Sequence, residues 1–137
     1  MRIIVFGGSG FLGSYVADEL STRGHKVTIA DNKKSKWISK GQKFIKINIL
    51  NLNQLNKLID GYDVVYNFAA IADIGEAYKK PIQTVKTNIL GTVNMLEACR
   101  KNKVKRYVFA SSIYVFSNQG GFYRSSKQSA ELYIEEY

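Results

Sequence analysis

The sequence predicts an α/β protein with a doubly wound parallel sheet in a three-layer α/β/α arrangement. Two observations predict this fold. Short apolar runs typical of buried strands alternate along the chain with segments whose apolar residues recur at helical spacing. The first apolar run also ends in a cluster of glycines, directly before the first helical segment. Strands that alternate with helices form parallel sheets with right-handed crossovers, and the helices then cover both faces.

Five short segments are predicted as strands because each is rich in β-branched or aromatic residues. The first runs into Gly7, and the second ends at Asp31, before a lysine-rich loop. Such continuous apolar runs are typical of parallel strands that are buried on both faces. The predicted strands are residues 2–6, 26–30, 43–47, 63–68 and 106–110.

Four segments keep apolar residues at helical spacing. In the first of them Leu12, Val16 and Leu20 share one face. Pro81, the only proline, stands where a helix could begin. Cys99 falls on the apolar face of the third helix, so we expect it in the core and not as a reactive thiol. The predicted helices are residues 11–23, 51–59, 84–101 and 125 to the end of the chain.

The composition narrows the class of protein. Apolar residues make up 45% of the 137 residues, which suits one globular domain spanning residues 1–137. No apolar run reaches the roughly 18 residues that span a bilayer, so we expect no membrane partner. A lone Cys99 and a lone His25 allow neither an internal disulfide nor a Cys/His zinc cluster, and no metal is predicted. We expect a cytoplasmic protein.

The chain is basic, with a net charge of +9 and a pI near 9.6. A basic chain can bind nucleic acid, but no nucleic-acid-binding module is recognisable here. The lysines and arginines fall mainly at residues 33–46 and 100–106. We therefore predict no nucleic-acid partner and favour attraction of a small polyanionic ligand such as a dinucleotide.

Three glycines between the first strand and the first helix predict a phosphate-binding turn. Gly7 permits the tight turn, Gly10 lets the backbone approach a pyrophosphate, and Gly13 lets the helix pack closely on the sheet. The free N–H groups at the start of that helix then face the phosphates. Strand, glycine turn and helix in this order predict the Rossmann fold.

Asp31 stands at the tip of the second strand. A carboxylate there can accept hydrogen bonds from the adenosine ribose hydroxyls and repels a 2′-phosphate, which favours NAD over NADP. Aspartate followed by asparagine is also common in turns, which is the alternative role for this residue. Lys33 and Lys34 could accommodate a 2′-phosphate, so NADP stays open as the less favoured cofactor.

A serine, a tyrosine and a lysine form a candidate catalytic set. Ser111 and Ser112 follow the fifth strand, at the edge of the sheet where ligands of such folds bind. Tyr123 and Lys127 are four residues apart and share a helical face if the helix begins at or just before the tyrosine. A nearby ammonium favours the phenolate, which makes the tyrosine a usable general base, and a serine hydroxyl can steady the same substrate oxygen. The alternative is an ordinary surface helix.

These motifs together resemble the NAD-dependent epimerase/dehydratase family of extended short-chain dehydrogenase/reductases, and within it the UDP-galactose 4-epimerases. The likeness covers nearly the whole chain. It is carried by the glycine turn, Asp31-Asn32, Asn67-Phe68-Ala69-Ala70, Gly75-Glu76, Lys80-Pro81, Asn88 with Gly91-Thr92, residues 111–116, and Tyr123 with Lys127.

The resemblance implies a role for each matching residue. Phe11 and Leu12 would offer N–H groups to the pyrophosphate, and Ser112, Tyr123 and Lys127 would be catalytic. Asn88 would steady the central helix and approach the cofactor. The implied cofactor-binding set is Gly7, Gly10, Phe11, Leu12, Gly13, Asp31, Asn32, Asn48, Ile49, Phe68, Ala69, Ala70, Ala72, Asn88, Ser111, Tyr123 and Lys127.

The resemblance also implies a reaction. Tyr123 would take the proton of a sugar hydroxyl while hydride passes to NAD, and a 4-epimerase would return it to the other face of the keto-sugar. A nucleotide-sugar substrate and a homodimer in the full-length form are implied. The alternative function is a non-catalytic module that binds NAD(P) and a partner, for which Tyr123 would be dispensable.

Four departures from the family pattern limit the implied function. Asn48 replaces the usual aspartate beside the adenine, and Ser112-Ile113-Tyr114 lacks the Asp-Glu pair of the sugar 4,6-dehydratases, which disfavours dehydration. The segment from Ser112 to Tyr123 is much shorter than is typical, so the substrate-facing loop must differ. The chain stops ten residues after Lys127, and we expect the substrate domain to be missing or truncated and the chain alone to be poorly active.

Overall fold

The computed structural model describes all 137 residues. Five parallel strands form one sheet in the order β3-β2-β1-β4-β5. The strands are β1 (Arg2–Phe6), β2 (Lys26–Asp31), β3 (Lys43–Lys46), β4 (Val64–Asn67) and β5 (Arg106–Phe109). The order changes direction at β1, so the carboxyl ends of β1 and β4 flank the crevice where ligands bind in such sheets.

Six α-helices connect and cover the strands. They are α1 (Phe11–Thr22), α2 (Leu52–Ile59), α3 (Ile74–Lys79), α4 (Pro81–Thr84), α5 (Gly91–Lys101) and α6 (Gly121–Glu136). A π-helical segment, Val85–Leu90, joins α4 to α5, and a 3₁₀ segment, Ile113–Phe116, follows β5. No helix combines the length and the apolar character that a membrane span requires.

The two faces of the sheet carry separate apolar clusters, as alternation along β1 requires. Ile4 and Phe6 lie in a buried cluster with residues of α2 and α5. Ile3 and Val5 lie in the other, with Ala17 and Leu20 of α1. The predicted three-layer doubly wound sheet is confirmed, and Cys99 lies in the core as expected. Burial raises the pKa of its thiol to about 12, which keeps it protonated.

The structure corrects the prediction for the last helix, which begins at Gly121 and not at residue 125. Gly120 and Gly121 both have positive φ, and Gly120 precedes the helix without a side-chain cap. Two adjacent glycines without a capping side chain are typical of a loop, so the sequence pattern does not predict the first turn of this helix. Tyr123 is therefore inside the helix, so Tyr123 and Lys127 share a helical face.

Two further differences lie between β4 and α5. Helix α3 was not predicted, although Asp73 accepts a hydrogen bond from the Glu76 N–H (2.7 Å) as an N-cap. The helical stretch begins at Pro81, the position that the proline indicated, and not at residue 84, and it contains the π-helical turn. A π-helical turn contains one residue more than an α-helical turn, which changes the direction of the side chains that follow it. Asn88 lies within this turn.

Candidate functional site

The glycine turn after β1 is compact and has no space for side chains. Gly7 has a φ of +72°, and a Cβ there would lie 2.5 Å from the Ala69 nitrogen. A Cβ on Gly13 would lie 2.3 Å from the Gly7 carbonyl oxygen. The Gly7 N–H donates to the Ala30 carbonyl (2.9 Å), and the Gly10 N–H donates to the Gly7 carbonyl (3.0 Å). The turn is thus fixed against the ends of β2 and β4.

Helix α1 starts at this turn with open donors. Gly10 precedes the helix and offers no side chain to cap it. Phe11 and Leu12, the first two helical residues, are 77% and 61% exposed. The N–H groups of an uncapped first turn carry partial positive charge and suit an anion.

Asp31 is tied to the glycine turn by hydrogen bonds. Its carboxylate accepts from the Ser9 N–H (3.1 Å) and from the Lys33 N–H (3.3 Å). The Ser9 hydroxyl is buried and has no hydrogen-bond partner. The carboxylate and the turn therefore share one wall, and that wall holds a polar group free for a ligand.

A cleft of about 420 Å³ opens between these groups, along the carboxyl ends of β1, β2, β3 and β4. Nine residues of the predicted cofactor-binding set line it: Gly7, Gly10, Asp31, Asn32, Asn48, Ile49, Phe68, Ala69 and Ala70. Seven further residues also line it, Ser9, Ala30, Lys33, Ile47, Leu50, Gln83 and Thr87. Gln83 and Thr87 are four apart and hydrogen-bonded to each other (3.1 Å), a helical spacing that could have pointed to a shared face.

One wall of the cleft is fixed by close packing on α5. The Asn48 side chain accepts a hydrogen bond from the Leu50 N–H (3.0 Å), which shapes the turn after β3. A Cβ on Gly91 would lie 2.5 Å from the Ile49 side chain, so the glycine lets this turn approach the helix. The Asn94 amide donates to the Ile49 carbonyl (3.1 Å).

Asn88 is buried and its amide is committed to other parts of the protein. Its Oδ1 accepts from the Ile71 N–H (2.8 Å), and its Nδ2 donates to the Ile71 carbonyl (3.0 Å) and to the Ser126 hydroxyl (2.9 Å). Ser126 lies on α6 between Tyr123 and Lys127, and its hydroxyl donates to the Tyr123 carbonyl (2.7 Å). Asn88 thus braces the loop after β4 against α6, while Gln83 and Thr87 of the same helical stretch face the cleft.

Lys127 is 3% exposed and points at the end of β5. Its ammonium donates to the Ala110 carbonyl (2.7 Å) and lies 4.5 Å above the Phe109 ring. It is 5.9 Å from the centre of the Tyr123 ring. Burial lowers the pKa of this lysine to about 8, and the nearby Glu131 carboxylate opposes that effect.

The two serines after β5 have different partners. The Ser111 hydroxyl donates to the Glu131 carboxylate on α6. The Ser112 hydroxyl accepts from the Tyr114 N–H (3.3 Å) and caps the 3₁₀ segment. Tyr114 in turn packs edge-on against Tyr123, with 6.4 Å between ring centres. The predicted catalytic residues Ser112, Tyr123 and Lys127 thus lie near the end of β5. This strand pairs with β4, whose end borders the cleft.

Eight residues of the predicted cofactor-binding set do not line the cleft itself. Phe11, Leu12 and Gly13 lie in the first turn of α1, next to the glycine turn. The other five follow β4 or β5 or belong to the helices packed beyond those strands: Ala72, Asn88, Ser111, Tyr123 and Lys127. The cleft thus covers the ends of β1, β2, β3 and β4, and the predicted catalytic residues stand at the neighbouring end of β5.

The model of the family described as NAD-dependent epimerase/dehydratase matches residues 3–137. The chain belongs to that family. The UDP-N-acetyl-alpha-D-glucosaminuronate decarboxylase of Bacillus cytotoxicus is 40% identical over 121 residues, which cover 84% of this chain and 37% of that protein. A UDP-glucose 4-epimerase of Klebsiella pneumoniae is 31% identical over 131 residues, covering 87% of this chain and 94% of that sequence.

Solved structures of similar proteins superpose on almost every residue of the chain. The UDP-glucose 4-epimerase of Thermus thermophilus in complex with NAD has a TM-score of 0.90 and 30% identity, covering 100% of this chain and 50% of that one. The enzyme of Stenotrophomonas maltophila with bound NAD and formylated UDP-arabinopyranose has a TM-score of 0.91 and 27% identity, covering 99% of this chain and 48% of that one. This family member spans about half the length of these solved structures.

Proposed function

We propose that this chain is the NAD-binding half of a nucleotide-sugar 4-epimerase or a related sugar-nucleotide oxidoreductase. One observation carries the proposal: the Asp31 carboxylate and the glycine turn are hydrogen-bonded to each other at the cleft, and Lys127 and Tyr123 lie at the adjacent strand end. Membership of the NAD-dependent family supports the same assignment.

The cleft suits an adenine dinucleotide by its shape and its chemistry. The positions of Gly7 and Gly13 leave no room for a Cβ, so the turn is held tightly between the strand ends and α1, which would present backbone N–H groups to a diphosphate. The buried Ser9 hydroxyl, which has no protein partner, and the uncapped N–H groups at Phe11 and Leu12 are donors for phosphate oxygens. Asn48, Ile49 and Leu50 would form the wall beside the adenine.

Asp31 supports NAD as the cofactor. It lies beside the turn that would hold the diphosphate, where a carboxylate can accept from both ribose hydroxyls. A phosphate ester at the 2′ position would meet its negative charge. Lys33, which also lines the cleft, and its neighbour Lys34 are the features that would favour NADP.

Tyr123, Ser112 and Lys127 would carry out the proton transfer. NAD, when bound, supplies the acceptor and later the donor of the hydride. Tyr123 would accept the proton of the sugar hydroxyl, helped by the ammonium of Lys127 close to its ring. The Ser112 hydroxyl would donate a hydrogen bond to the same oxygen as its charge develops. Burial of Lys127 strengthens its effect on the phenolate because water does not screen it.

The substrate class is proposed from the relatives, and the assembly from the family resemblance. The names of similar proteins and the ligands in their structures include UDP-sugars, so we propose a nucleotide sugar as the substrate. We also propose a homodimer for the full-length protein. A cytoplasmic location is proposed because the only cysteine is a buried, unpaired thiol.

A turnover assay tests the proposal. The full-length protein that contains this chain is loaded with NAD and mixed with a panel of UDP-sugars, and epimer formation and the absorbance of reduced nicotinamide are followed. Tyr123→Phe is expected to lower turnover by about 10²–10⁴-fold, the usual contribution of a general base. Tyr133→Phe, on the exposed part of the same helix, is the control and is expected to keep full turnover. Equal turnover in both variants would favour the non-catalytic NAD(P)-binding module.

A further inference from the structure

We propose that Gln128, assisted by Arg124, is a positioning residue that holds Ser112 in register with Tyr123 and Lys127. The inference rests on the proposed function. It concerns the corner formed by residues 112–120, which connects β5 to α6. Nothing in the glycine motif or in the Tyr-Lys spacing points to these two side chains.

The side chains bond the corner to α6 at two points. The Gln128 Nε2 donates to the Val115 carbonyl (2.8 Å), and the Arg124 Nη1 donates to the Ser117 carbonyl (2.9 Å). The two residues are four apart on α6, so they lie on one helical face. Arg124 directly follows Tyr123 in the sequence, and Gln128 directly follows Lys127.

The accepting carbonyls lie at the end of the 3₁₀ segment, where backbone acceptors have no partner within the helix. Ser112 begins the same segment by capping the Tyr114 N–H. The segment is only four residues long, so its start and its end move together. A bond at Val115 therefore limits the position of Ser112 relative to α6.

The rest of the corner offers few other restraints toward α6. Gly120 has a φ of +97° and packs against the Tyr114 side chain. The Ser117 and Gln119 bonds close the corner on itself and do not reach the catalytic helix. Before Ser112, the Ser111 hydroxyl donates to Glu131 and Lys127 donates to the Ala110 carbonyl, which fixes the end of β5 on α6. Within residues 112–120, the Gln128 and Arg124 bonds are the side-chain links to the helix that carries Tyr123 and Lys127.

Gln128 gives the cleaner test of the two. The Nε of Arg124 is buried without a hydrogen-bond partner, so replacing arginine also removes an unsatisfied donor and confounds the result. Gln128→Met keeps the length and volume of the side chain but removes the donor to Val115. The control is Ser129→Ala, which removes an exposed hydroxyl whose only bond is to the Ser125 carbonyl of the same helix.

The experiment measures two quantities in each purified variant. The first is amide hydrogen exchange across residues 113–117 without added ligand. The second is kcat, KM and the NAD dissociation constant in the UDP-sugar assay. For Gln128→Met we expect about tenfold faster exchange, the equivalent of one lost hydrogen bond. We also expect kcat to fall about tenfold, with KM and NAD affinity within about twofold of wild type, because only the serine is displaced.

Two results would overturn the proposal. Exchange equal to that of Ser129→Ala would show that Gln128 does not hold the corner. Faster exchange with unchanged kcat would show that the link is structural and does not position Ser112. Absence of turnover in the wild-type protein would count against the proposed function. It would also overturn the positioning role of Gln128, even if amide hydrogen exchange showed that Gln128 holds the corner.

Discussion

The backbone N–H of Ser9 donates a hydrogen bond of 3.1 Å to the carboxylate of Asp31. This bond joins the glycine turn after β1 to the tip of β2, 22 residues away along the chain. The two parts proposed to hold a diphosphate and its neighbouring ribose are therefore one unit before any ligand binds. Such an arrangement lowers the cost of ordering the site on binding.

Replacing Asp31 should loosen the glycine turn even without ligand. In Asp31→Ala the Ser9 N–H loses a charge-assisted partner, a change of about 1.5–3 kcal/mol. Amide exchange at Ser9 should therefore accelerate by about tenfold or more. Asp60→Ala, at an exposed acid after α2, is the control. Equal exchange at Ser9 in the two variants would show that Asp31 does not fix the turn.

Replacing Gly13 by alanine should destabilise the protein. The new Cβ would lie 2.3 Å from the Gly7 carbonyl oxygen, so α1 or the turn must shift. We expect a loss of about 1–3 kcal/mol in the free energy of unfolding, measured by denaturant titration. Gly75→Ala in α3 is the matched control, because only the movable Asp73 carboxylate lies close to its added Cβ. Similar losses for both substitutions would contradict the close packing at Gly13.

Removing the Asn88 amide should lower the free energy of unfolding more than removing a half-buried amide does. Asn88→Ala leaves the Ile71 N–H and carbonyl without their partner, and we expect a loss of about 3 kcal/mol in unfolding free energy. Asn94→Ala, which removes a single bond to the Ile49 carbonyl, should cost about 1 kcal/mol. Chemical denaturation of both variants measures the difference. Costs that do not differ would mean that Asn88 is not a brace between the β4 loop and α6.

Lys127 should make stability rise with pH in the alkaline range. Burial lowers the pKa of its ammonium to about 8 in the folded protein, against about 10.4 when unfolded. Between these values the unfolded chain binds more protons, so unfolding free energy increases with pH. This gain in unfolding free energy is complete above about pH 10.4 and is lost as the pH falls through about 8, a change of about 3 kcal/mol.

The comparison of wild type with Lys127→Met isolates this contribution, since other titrating groups are common to both proteins. Unfolding free energies at several pH values across the range provide the measurement. The difference between the two proteins should change by about 3 kcal/mol. A constant difference would show that the ammonium keeps its ordinary pKa in the fold.

Most of the fold follows from local pattern. The bounds of all five strands agree with the prediction to within one residue at each end, because buried parallel strands are short apolar runs with clear polar limits. The first turn of α6 was missed because Gly120 and Gly121 carry no helical signal. The π-helical turn before α5 depends on packing around Asn88, which no local pattern encodes.

Residues of the candidate site were predictable where the conformation or packing of the backbone allows only one type of residue. Gly7 and Gly13 are needed for steric reasons, and Asp31 follows from its place at a strand end. The roles of Ser9 and Gln128 depend on partners far away in sequence. The contact of Gln128 with Val115 across the corner is a tertiary contact, and it produces no periodic pattern in the sequence.

Calorimetric titration of the purified chain with NAD and with NADP tests the central claim most directly. If the glycine turn and Asp31 hold the diphosphate and ribose of an adenine dinucleotide, NAD should bind at one site and NADP at least about tenfold more weakly, because the 2′-phosphate meets the carboxylate. Asp31→Ala should weaken NAD binding and narrow that preference. No heat of binding with either dinucleotide, or equal affinity for both, would contradict the account.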